Sequence, residues 1–289
     1  MAGEQRAALL EGAEERLACA RVAHAAYLTR GYTARVTPLS AVLIAQNEEG
    51  KIREALETVH FCDEIVVVDS GSEDRTRAAA EAAGARVIVN APWPGFVAQR
   101  EFAVRAARHD WVLALDADER VTPALHAEIE RLRGRGFAHA AYRIPRVAFH
   151  LGRWVRGTDW YPDEQVRLFD RTRARWEGDL VHESVKATGP VGRLRGELLH
   201  YPYADISDHL RKIDRYTTLW ARQFFAAGRR TGPVDMASAG LWAFFRNYVV
   251  KRGFLLGAPG LVISTLNAYY TFVKLAKLYE LGEGGSFPR

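Results

Sequence analysis

The chain has 289 residues, of which 48% are hydrophobic, and its formal net charge is +5 with a pI of about 9.3. This length and composition allow one large buried core or two modest ones. From Asp205 onward the chain holds twelve Lys and Arg against six Asp and Glu, a net charge of +6, whereas the residues before Asp205 carry −1. Because this positive charge is interleaved with long apolar segments and accompanies no nucleic-acid-binding motif, it argues against a nucleic-acid-binding protein.

The cysteines and the N-terminal segment bear on the compartment. Cys19 and Cys62 show no spacing typical of metal ligands or of a redox pair, which predicts ordinary thiols in a reducing environment. Residues 4–29 combine charged residues with alanine and leucine at helical spacing, and they contain no apolar stretch like that of a secretory signal. We therefore predict a helical N-terminal extension over residues 1–36 and a cytoplasmic location.

The next part of the chain alternates predicted strands and helices. The strands are predicted at Leu39–Gln46, Glu64–Asp69, Arg86–Asn90 and Trp111–Leu115, and the helices at Lys51–His60, Ser72–Ala83 and Gln99–Ala107. Ser72 is expected to cap the second helix, and Gly84 to follow its end. Strands that alternate with helices in this way are typical of βαβ units and a parallel sheet. The right-handed crossover rule then places every strand-to-helix loop at one edge of that sheet.

The middle and the end of the chain follow other patterns. Short strand-like pieces are predicted at Ala141–Phe149, Gln165–Phe169 and Leu198–Tyr201, and helices at Asp235–Arg252 and Leu261–Leu281. A further helix after Asp205 carries apolar residues three or four positions apart, which predicts one buried stripe. The stripe consists of Ile206, Leu210, Ile213, Tyr216, Trp220 and Phe224.

Polar residues follow three of the predicted parallel strands. The loops are Gln46-Asn47-Glu48-Glu49, Asp69-Ser70-Gly71-Ser72 and Asp116-Ala117-Asp118. Two carboxylates at the end of a buried strand repel each other unless a cation joins them, and a hard divalent metal that also holds phosphates fits this need. A simple helix cap is the alternative, because Thr122-Pro123 soon opens a helix. No glycine-rich phosphate loop follows the first strand, so a nucleotide here is expected to be held by carboxylates and metal.

Together these motifs resemble the family 2 glycosyltransferases of GT-A fold, and among them most closely the lipopolysaccharide core β-1,4-glucosyltransferases. The matching segments, in the family's order, are LIAQNEEGKI (43–52), DEIVVVDSGSEDRT (63–76), DWVLALDADE (110–119), RLFDR (167–171), VHE (181–183) and HYPY (200–203). The resemblance implies an α/β fold with a Rossmann-like, mostly parallel sheet. Its GT-A domain would cover residues 37–204, with a nucleotide half at 37–120 and an acceptor half at 121–204. One departure is Glu101, where such enzymes often have Asn.

The resemblance also implies the residues of a donor site. Those that would line the nucleotide sugar are Asn47, Glu48, Asp69, Arg100, Asp116 and Asp118. By resemblance, Asp69 would accept a hydrogen bond from the base imide, and Asp116 would face the ribose. Asp118 would ligate Mg²⁺ or Mn²⁺ bridging the diphosphate, which neutralises the charge that develops on the leaving group. A UDP-sugar is the favoured donor.

Two roles remain open between alternatives. Glu183, in the Val-His-Glu motif, is the favoured general base, and Asp163 is the runner-up, which otherwise caps a turn after a proline. His200 is either a second metal ligand or a core histidine, and His182 is its rival as ligand. Arg167 could pair with the diphosphate or form a salt bridge within the fold.

The remaining expectations concern the acceptor and the C-terminal part. Residues 205–289 are expected to be helical and to contact the membrane peripherally at its cytoplasmic face, because Phe254–Val273 is apolar but interrupted by Pro259 and Asn267 and flanked by basic residues. The alternative is a C-terminal helix that packs onto the enzyme core. The resemblance implies an inverting, metal-dependent transferase that moves glucose or another hexose to a glycolipid hydroxyl, in the lipopolysaccharide inner core. A polyprenyl-phosphate sugar synthase is the alternative enzyme. A sugar nucleotidyltransferase is disfavoured because its glycine-rich N-terminal phosphate loop is absent.

Overall fold

The computed structural model of the chain describes residues 36–178 and 183–284. The predicted helix within residues 4–29, together with Cys19 and His182, lies outside the described residues. Cys62 is a free thiol, partly buried, and burial raises its pKa. This agrees with the expectation of an ordinary unpaired cysteine.

Strands and helices alternate in the first half, and helices dominate the end. The strands are β1 (Leu39–Ala45), β2 (Glu64–Asp69), β3 (Arg86–Val89), β4 (Trp111–Asp116), β5 (Glu119–Val121), β6 (Ala141–His150), β7 (Arg153–Val155), β8 (Asp163–Asp170), β9 (Ala174–Glu177), β10 (Ser184–Ala187), β11 (Val191–Arg193) and β12 (Leu198–His200). The helices are α1 (Ile52–Glu57), α2 (Thr76–Ala82), α3 (Phe96–Ala106), α4 (Pro123–Arg135), α5 (Ile206–Ala226), α6 (Pro233–Phe245) and α7 (Ala258–Gly282). Short 3₁₀ turns lie at Thr158–Trp160 and Gly253–Leu256, and a π-helical turn lies at Arg246–Val250.

One large mixed sheet organises the protein. Its strand order is β3-β2-β1-β4-β8-β6-β12-β5, and β7 and β11 also pair with β6. The first four strands run parallel, whereas β8 pairs antiparallel with both β4 and β6. Strands β9 and β10 form a separate antiparallel pair. The predicted α/β fold with a parallel sheet in its first half is therefore confirmed, and the sheet continues into a mixed half.

Strand β1 explains why the predicted sheet strands read as continuous apolar runs. Leu39 and Leu43 point into one core, with Ile52 of α1 and Leu125 of α4. Val42 points to the opposite face, into a second core that includes residues of α3. Because side chains alternate along a strand and helices cover both faces, almost every position of β1 must be apolar.

Local signals located most helices but misplaced some boundaries. Thr122 caps α4 with its side chain, which accepts from the backbone N–H of Leu125, and Pro123 occupies the first turn, as predicted. Helix α2 begins at Thr76, so the prediction that Ser72 caps it is wrong. The Ser72 hydroxyl instead donates to the carboxylate of Asp69. Gly84 follows the helix with a φ of 81°, the left-handed conformation expected there.

The C-terminal helices pack on each other around α7. The buried residues of α5 are His209, Ile213, Thr217 and Ala221, whereas Leu210 and Tyr216 are 40% and 37% exposed. The predicted stripe of large apolar residues is therefore only partly buried, because smaller and polar residues four positions apart form the contact. No helix within the described ranges is long and apolar enough to cross a membrane.

Candidate active site

The carboxyl ends of three parallel strands meet at one edge of the sheet. Ala45 at the end of β1 lies opposite Asp69 in β2, and its neighbour Ile44 lies opposite Asp116 in β4. The loops that follow are joined to one another: the backbone N–H of Asn47 donates to Ser72 Oγ at 2.9 Å. The three polar loops singled out in the sequence thus converge as the crossover rule requires.

Asp69 holds the loop that follows β2 at this edge. Its carboxylate is fully buried and accepts hydrogen bonds from the backbone N–H groups of Gly71 at 3.0 Å and Ser72 at 2.8 Å. Asn47 similarly accepts from the backbone N–H of Glu73 at 2.9 Å and has a φ of 55°. Both residues hold the loops in place, and neither side chain lines the cavity above them.

A cavity of about 540 Å³ opens above the edge. Six of the residues singled out as donor, metal or base residues line it, namely Glu48, Arg100, Asp116, Asp118, Glu183 and His200. Burial raises the pKa of Glu48, although Lys51, 3.7 Å away, opposes that shift. The structure therefore brings the strand-end carboxylates, a histidine and the Val-His-Glu carboxylate to one place.

Asp118 and His200 form the pair best suited to hold a metal. Strand β12 pairs with β5, which brings His200 Nε2 within 3.5 Å of Asp118 Oδ2. The backbone N–H of Tyr201 also donates to the carbonyl of Asp118 at 2.9 Å. Burial alone would raise the pKa of Asp118, but the hydrogen bond and charge of His200 hold it below its ordinary value. No group of three or more His, Cys, Asp or Glu side chains that could hold a metal occurs among residues 36–178 and 183–284.

A row of alternating acidic and basic side chains begins at the cavity wall and continues into the interior. We term it the carboxylate–guanidinium chain; its members in order are Glu183, Arg100, Asp116, Arg167, Glu119, Arg146 and Asp163. Arg167 lies at its centre, 2.6 Å from Asp116 and 2.7 Å from Glu119. Arg167 therefore forms the salt bridges within the fold that the sequence offered as one of two alternatives.

The charges at the centre of the carboxylate–guanidinium chain are paired with one another and largely buried. Burial alone would raise the pKa of Asp116, but the charges of Arg100 and Arg167 hold it well below its usual range. Burial would lower the pKa of Arg167, but Asp116 and Glu119 raise it above its ordinary value. Removing one partner of such a buried pair typically costs about 3–5 kcal/mol, because it leaves the other charge unpaired.

The two candidate bases differ in how fully their oxygens are engaged. Glu183 Oε1 accepts from Arg100 Nη1 at 3.1 Å, and Glu183 Oε2 accepts no hydrogen bond from the described residues. Asp163 has both oxygens engaged, Oδ1 by Gln165 at 2.6 Å and Oδ2 by Arg146 at 2.8 Å. Asp163 does not line the main cavity. The geometry therefore leaves Glu183 better placed to receive a proton.

Helix α5 contributes a wall that sequence reasoning missed. Lys212, Arg215 and Tyr216 line the cavity, and Lys212 also donates to the carbonyl of Pro202. Arg215 forms no ion pair within the part of the chain that the structure describes. The amphipathic pattern of α5 identified a helix, but only the folded structure shows that Lys212 and Arg215 line the same cavity as Asp118 and His200.

Trp176 lines another part of the cavity, and Glu101 holds it there. The guanidinium of Arg100 lies over the Trp176 ring, with 4.6 Å between Cζ and the ring centroid. The backbone N–H of Trp176 donates to Glu101 Oε1 at 2.6 Å. Glu101, the departure from the family's usual Asn, thus attaches β9 to α3 and supports the Trp176 ring behind Arg100.

The comparison with protein families agrees with this architecture. A model described as Glycosyl transferase family 2 matches residues 40–188, which include β1 to β10 and the strand-end loops. The chain belongs to the family 2 glycosyltransferases, and its α/β fold with a mixed, partly parallel sheet is of GT-A type. It is thus an enzyme that transfers sugars.

Several relatives share most of the chain's length. An uncharacterized glycosyltransferase of Rickettsia bellii is 32% identical over 84% of this chain and 86% of the relative. The lipopolysaccharide core biosynthesis glycosyltransferase LpsC of Rhizobium meliloti is 30% identical over 84% of this chain and 92% of the relative. Among solved structures, glucosyl-3-phosphoglycerate synthase from Mycobacterium tuberculosis, in complex with Mn²⁺, UDP and glucosyl-3-phosphoglycerate, is 25% identical over 39% of this chain and 44% of that chain, with a TM-score of 0.34. This last likeness covers less than half of either chain.

Proposed function

We propose that the protein is an inverting, metal-dependent glycosyltransferase that uses a nucleotide-sugar donor, with a UDP-sugar favoured. It transfers glucose or another hexose to a hydroxyl of a glycolipid in the lipopolysaccharide inner core. The observation that carries this proposal is the joint placement of Asp118, His200, Arg100 and Glu183 on one 540 Å³ cavity. The likeness to LpsC over most of both chains supports a lipopolysaccharide acceptor.

The metal would be held by Asp118 and His200, with the diphosphate and water completing its coordination. A carboxylate oxygen and an imidazole nitrogen are ligands that Mn²⁺ accepts, and the carboxylate also suits Mg²⁺. When bound, the metal supplies charge neutralisation for the departing nucleoside diphosphate. Lys212 and Arg215 line the same cavity and would add positive charge near the phosphates.

The proposed transfer is a single displacement. The acceptor oxygen bonds to the anomeric carbon while the bond from that carbon to the diphosphate oxygen breaks, and the nucleoside diphosphate leaves with the electron pair. Glu183 takes the proton of the acceptor hydroxyl on the oxygen that Arg100 leaves free. Because attack and departure occur on opposite sides of the sugar, the configuration is inverted.

The nucleotide would lie across the strand-end loops. Glu48, Arg100 and Asp116 reach the cavity directly. Asn47 and Asp69 act indirectly, because their side chains hold the loops in place. For Asp69 to contact the base as predicted, its carboxylate would have to give up the hydrogen bond from the Ser72 hydroxyl and accept one from the base imide. These roles remain proposals that rest on the resemblance to the family.

Peripheral contact with the cytoplasmic face of a membrane is the proposed location. In α6 and the turns after it, Leu241, Trp242 and Leu255 are 74%, 59% and 66% exposed, and Lys251 and Arg252 lie between them in sequence. Exposed apolar residues beside basic ones favour shallow insertion into an anionic surface. We propose that this region holds the enzyme beside a lipid-anchored acceptor.

Calorimetry of donor binding tests the function. Asp118→Ala should weaken the binding of UDP by at least about tenfold in the presence of Mn²⁺, because the diphosphate loses its bridging cation. The control is Asp110→Ala, which removes an exposed carboxylate at the start of β4. Titrations of the parent with UDP-glucose, UDP-galactose, ADP-heptose and their nucleotides, with and without Mn²⁺, identify the donor. Metal-independent binding in the parent, or unchanged affinity in Asp118→Ala, would contradict the proposed metal site.

A further inference from the structure

A second cavity lies beside the first, outside the predicted donor site. Its volume is about 320 Å³, and it shares Arg146, His200, Pro202 and Tyr203 with the main cavity. His200 is one of the two residues that would hold the metal, so the second cavity opens next to the place where the donor's sugar would react. No residue that the sequence assigned to the nucleotide lines it.

The walls of the second cavity suit a sugar better than a phosphate. Two carboxylates face it, and each is already paired: Asp163 with Arg146 at 2.8 Å and Asp159 with Arg246 at 3.0 Å. The rings of Trp160 and Tyr203 form the apolar part, with centroids 5.7 Å apart. Aromatic surface with a few fixed polar groups is the usual lining of a site for a neutral ligand. Arg146 also lines the cavity, but its guanidinium is already paired with Glu119 and Asp163, so an anion would find no free guanidinium there.

The position of Trp160 is fixed by the C-terminal helices. Its indole Nε1 donates to Asn267 Oδ1 at 3.2 Å, and Asn267 Nδ2 in turn donates to Asn247 Oδ1 at 2.8 Å. Asn247 Oδ1 also accepts from the backbone N–H of Asp159 at 2.9 Å. This pair of amides, of which Asn247 is buried, therefore ties the turn at Thr158–Trp160 to α7 and to the π-helical turn.

The same π-helical turn has one buried side and one exposed side. Asn247 points inward and is 1% exposed, whereas Val249 and Val250 are 45% and 55% exposed. Such turns are rare in proteins and occur frequently at functional sites. The turn thus connects the wall of the second cavity with the exposed apolar region that we propose contacts the membrane.

We propose that the second cavity is the subsite for the carbohydrate head group of the acceptor, with a neutral sugar ring packed against Trp160. The Asn247–Asn267 pair positions that tryptophan. The lipid part of the acceptor stays in the membrane beside the π-helical turn while its sugar reaches past His200. This inference rests on the proposed function, and it assigns the acceptor to particular residues.

The test measures acceptor and donor separately. The acceptor is the water-soluble oligosaccharide obtained by deacylating rough-type lipopolysaccharide, and the assay follows nucleoside diphosphate release. Trp160→Leu keeps an apolar side chain but loses the flat ring, so the KM for the oligosaccharide should rise by about tenfold or more. UDP affinity and the acceptor-independent hydrolysis of the donor should not change. Trp160→Phe keeps a flat ring but loses the indole donor to Asn267, so its KM should lie between those of the parent and of Trp160→Leu.

Two further variants separate the subsite from general structural damage. Asn267→Leu removes the acceptor of the indole hydrogen bond and should raise the same KM while UDP binding persists. Trp242→Ala is the matched control, because this exposed tryptophan lies outside both cavities and should leave the KM for a soluble acceptor unchanged. An unchanged KM in Trp160→Leu, with a parent enzyme that transfers sugar, would refute the subsite alone. A parent that binds UDP but transfers nothing to the oligosaccharide would refute the proposed acceptor and the subsite with it.

Discussion

Replacing Glu183 by glutamine tests the proposed base with little disturbance of the fold. The side chain keeps its shape and can still accept a hydrogen bond from Arg100, which also retains its 2.8 Å bond to Asp116. The Arg100–Glu183 pair is largely buried, but Arg100 keeps Asp116 as a charged partner, so the loss of stability should stay below the about 3–5 kcal/mol expected when a buried charge is left unpaired. General base catalysis contributes about 10²–10⁴-fold, so the activation barrier should rise by about 3–5 kcal/mol. Turnover should therefore fall by that factor in a variant that remains folded.

The assay is the steady-state release of nucleoside diphosphate at saturating donor and acceptor, with UDP affinity and melting temperature measured on the same samples. Asp163→Asn is the control, because both oxygens of Asp163 are already hydrogen-bonded. A turnover loss confined to Asp163→Asn would show that the base has been assigned to the wrong carboxylate. Unchanged turnover in Glu183→Gln would instead favour a phosphate acceptor, as in a polyprenyl-phosphate sugar synthase, which needs little base catalysis.

Three other predictions concern stability and location. Glu119→Gln should lower the free energy of unfolding by about 2–4 kcal/mol, because two buried guanidiniums lose a charged partner. Glu57→Gln, which changes an exposed pair, should cost less than about 1 kcal/mol, and equal effects of the two variants in urea unfolding would contradict this. Burial lowers the pKa of His209 from 6.5 to about 4, so the unfolded chain binds more protons between these pH values. The free energy of unfolding should therefore fall by about 2–3 kcal/mol as pH drops from 6.5 to 4, and His209→Phe should remove that part of the slope; an equal slope in the variant would refute the assignment. Trp242→Glu should reduce co-sedimentation with anionic liposomes more than Val89→Glu, a matched exposed site on β3; equal sedimentation would exclude this face.

The parallel half of the fold and its strand-end loops were predictable because local rules determine them. An apolar run buried on both faces has few alternatives to a central strand, and the handedness of the crossovers places the loops at one edge. Asp116 and Asp118 could be located for that reason. The proximity of His200 could not be read from spacing, because it depends on the pairing of β12 with β5.

The carboxylate–guanidinium chain was not predictable from sequence. Glu119 reads as an ordinary residue beside the acidic motif, yet its fully buried carboxylate joins Arg146 and Arg167. The protein has many arginines, and long-range pairing between β4, β6 and β8 decides which of them enter the core. A charged residue reveals such a role only when its partner, far away in sequence, is known.

The contacts of the C-terminal helices decide which experiments can isolate membrane binding. Helix α5 places Lys212 on the main cavity, and Asn247 and Asn267 fix Trp160 on the second cavity. Deleting residues 236–289 would therefore remove the exposed apolar region and the support of Trp160 together, and would expose buried residues of α5 that α7 covers. A loss of activity after truncation could not be assigned to either cause. Substitutions at exposed positions such as Trp242 change the surface alone, because that side chain lines neither cavity. If the enzyme reaches its acceptor at a membrane, such a variant should lose activity on lipid-embedded acceptor and keep it on the deacylated oligosaccharide.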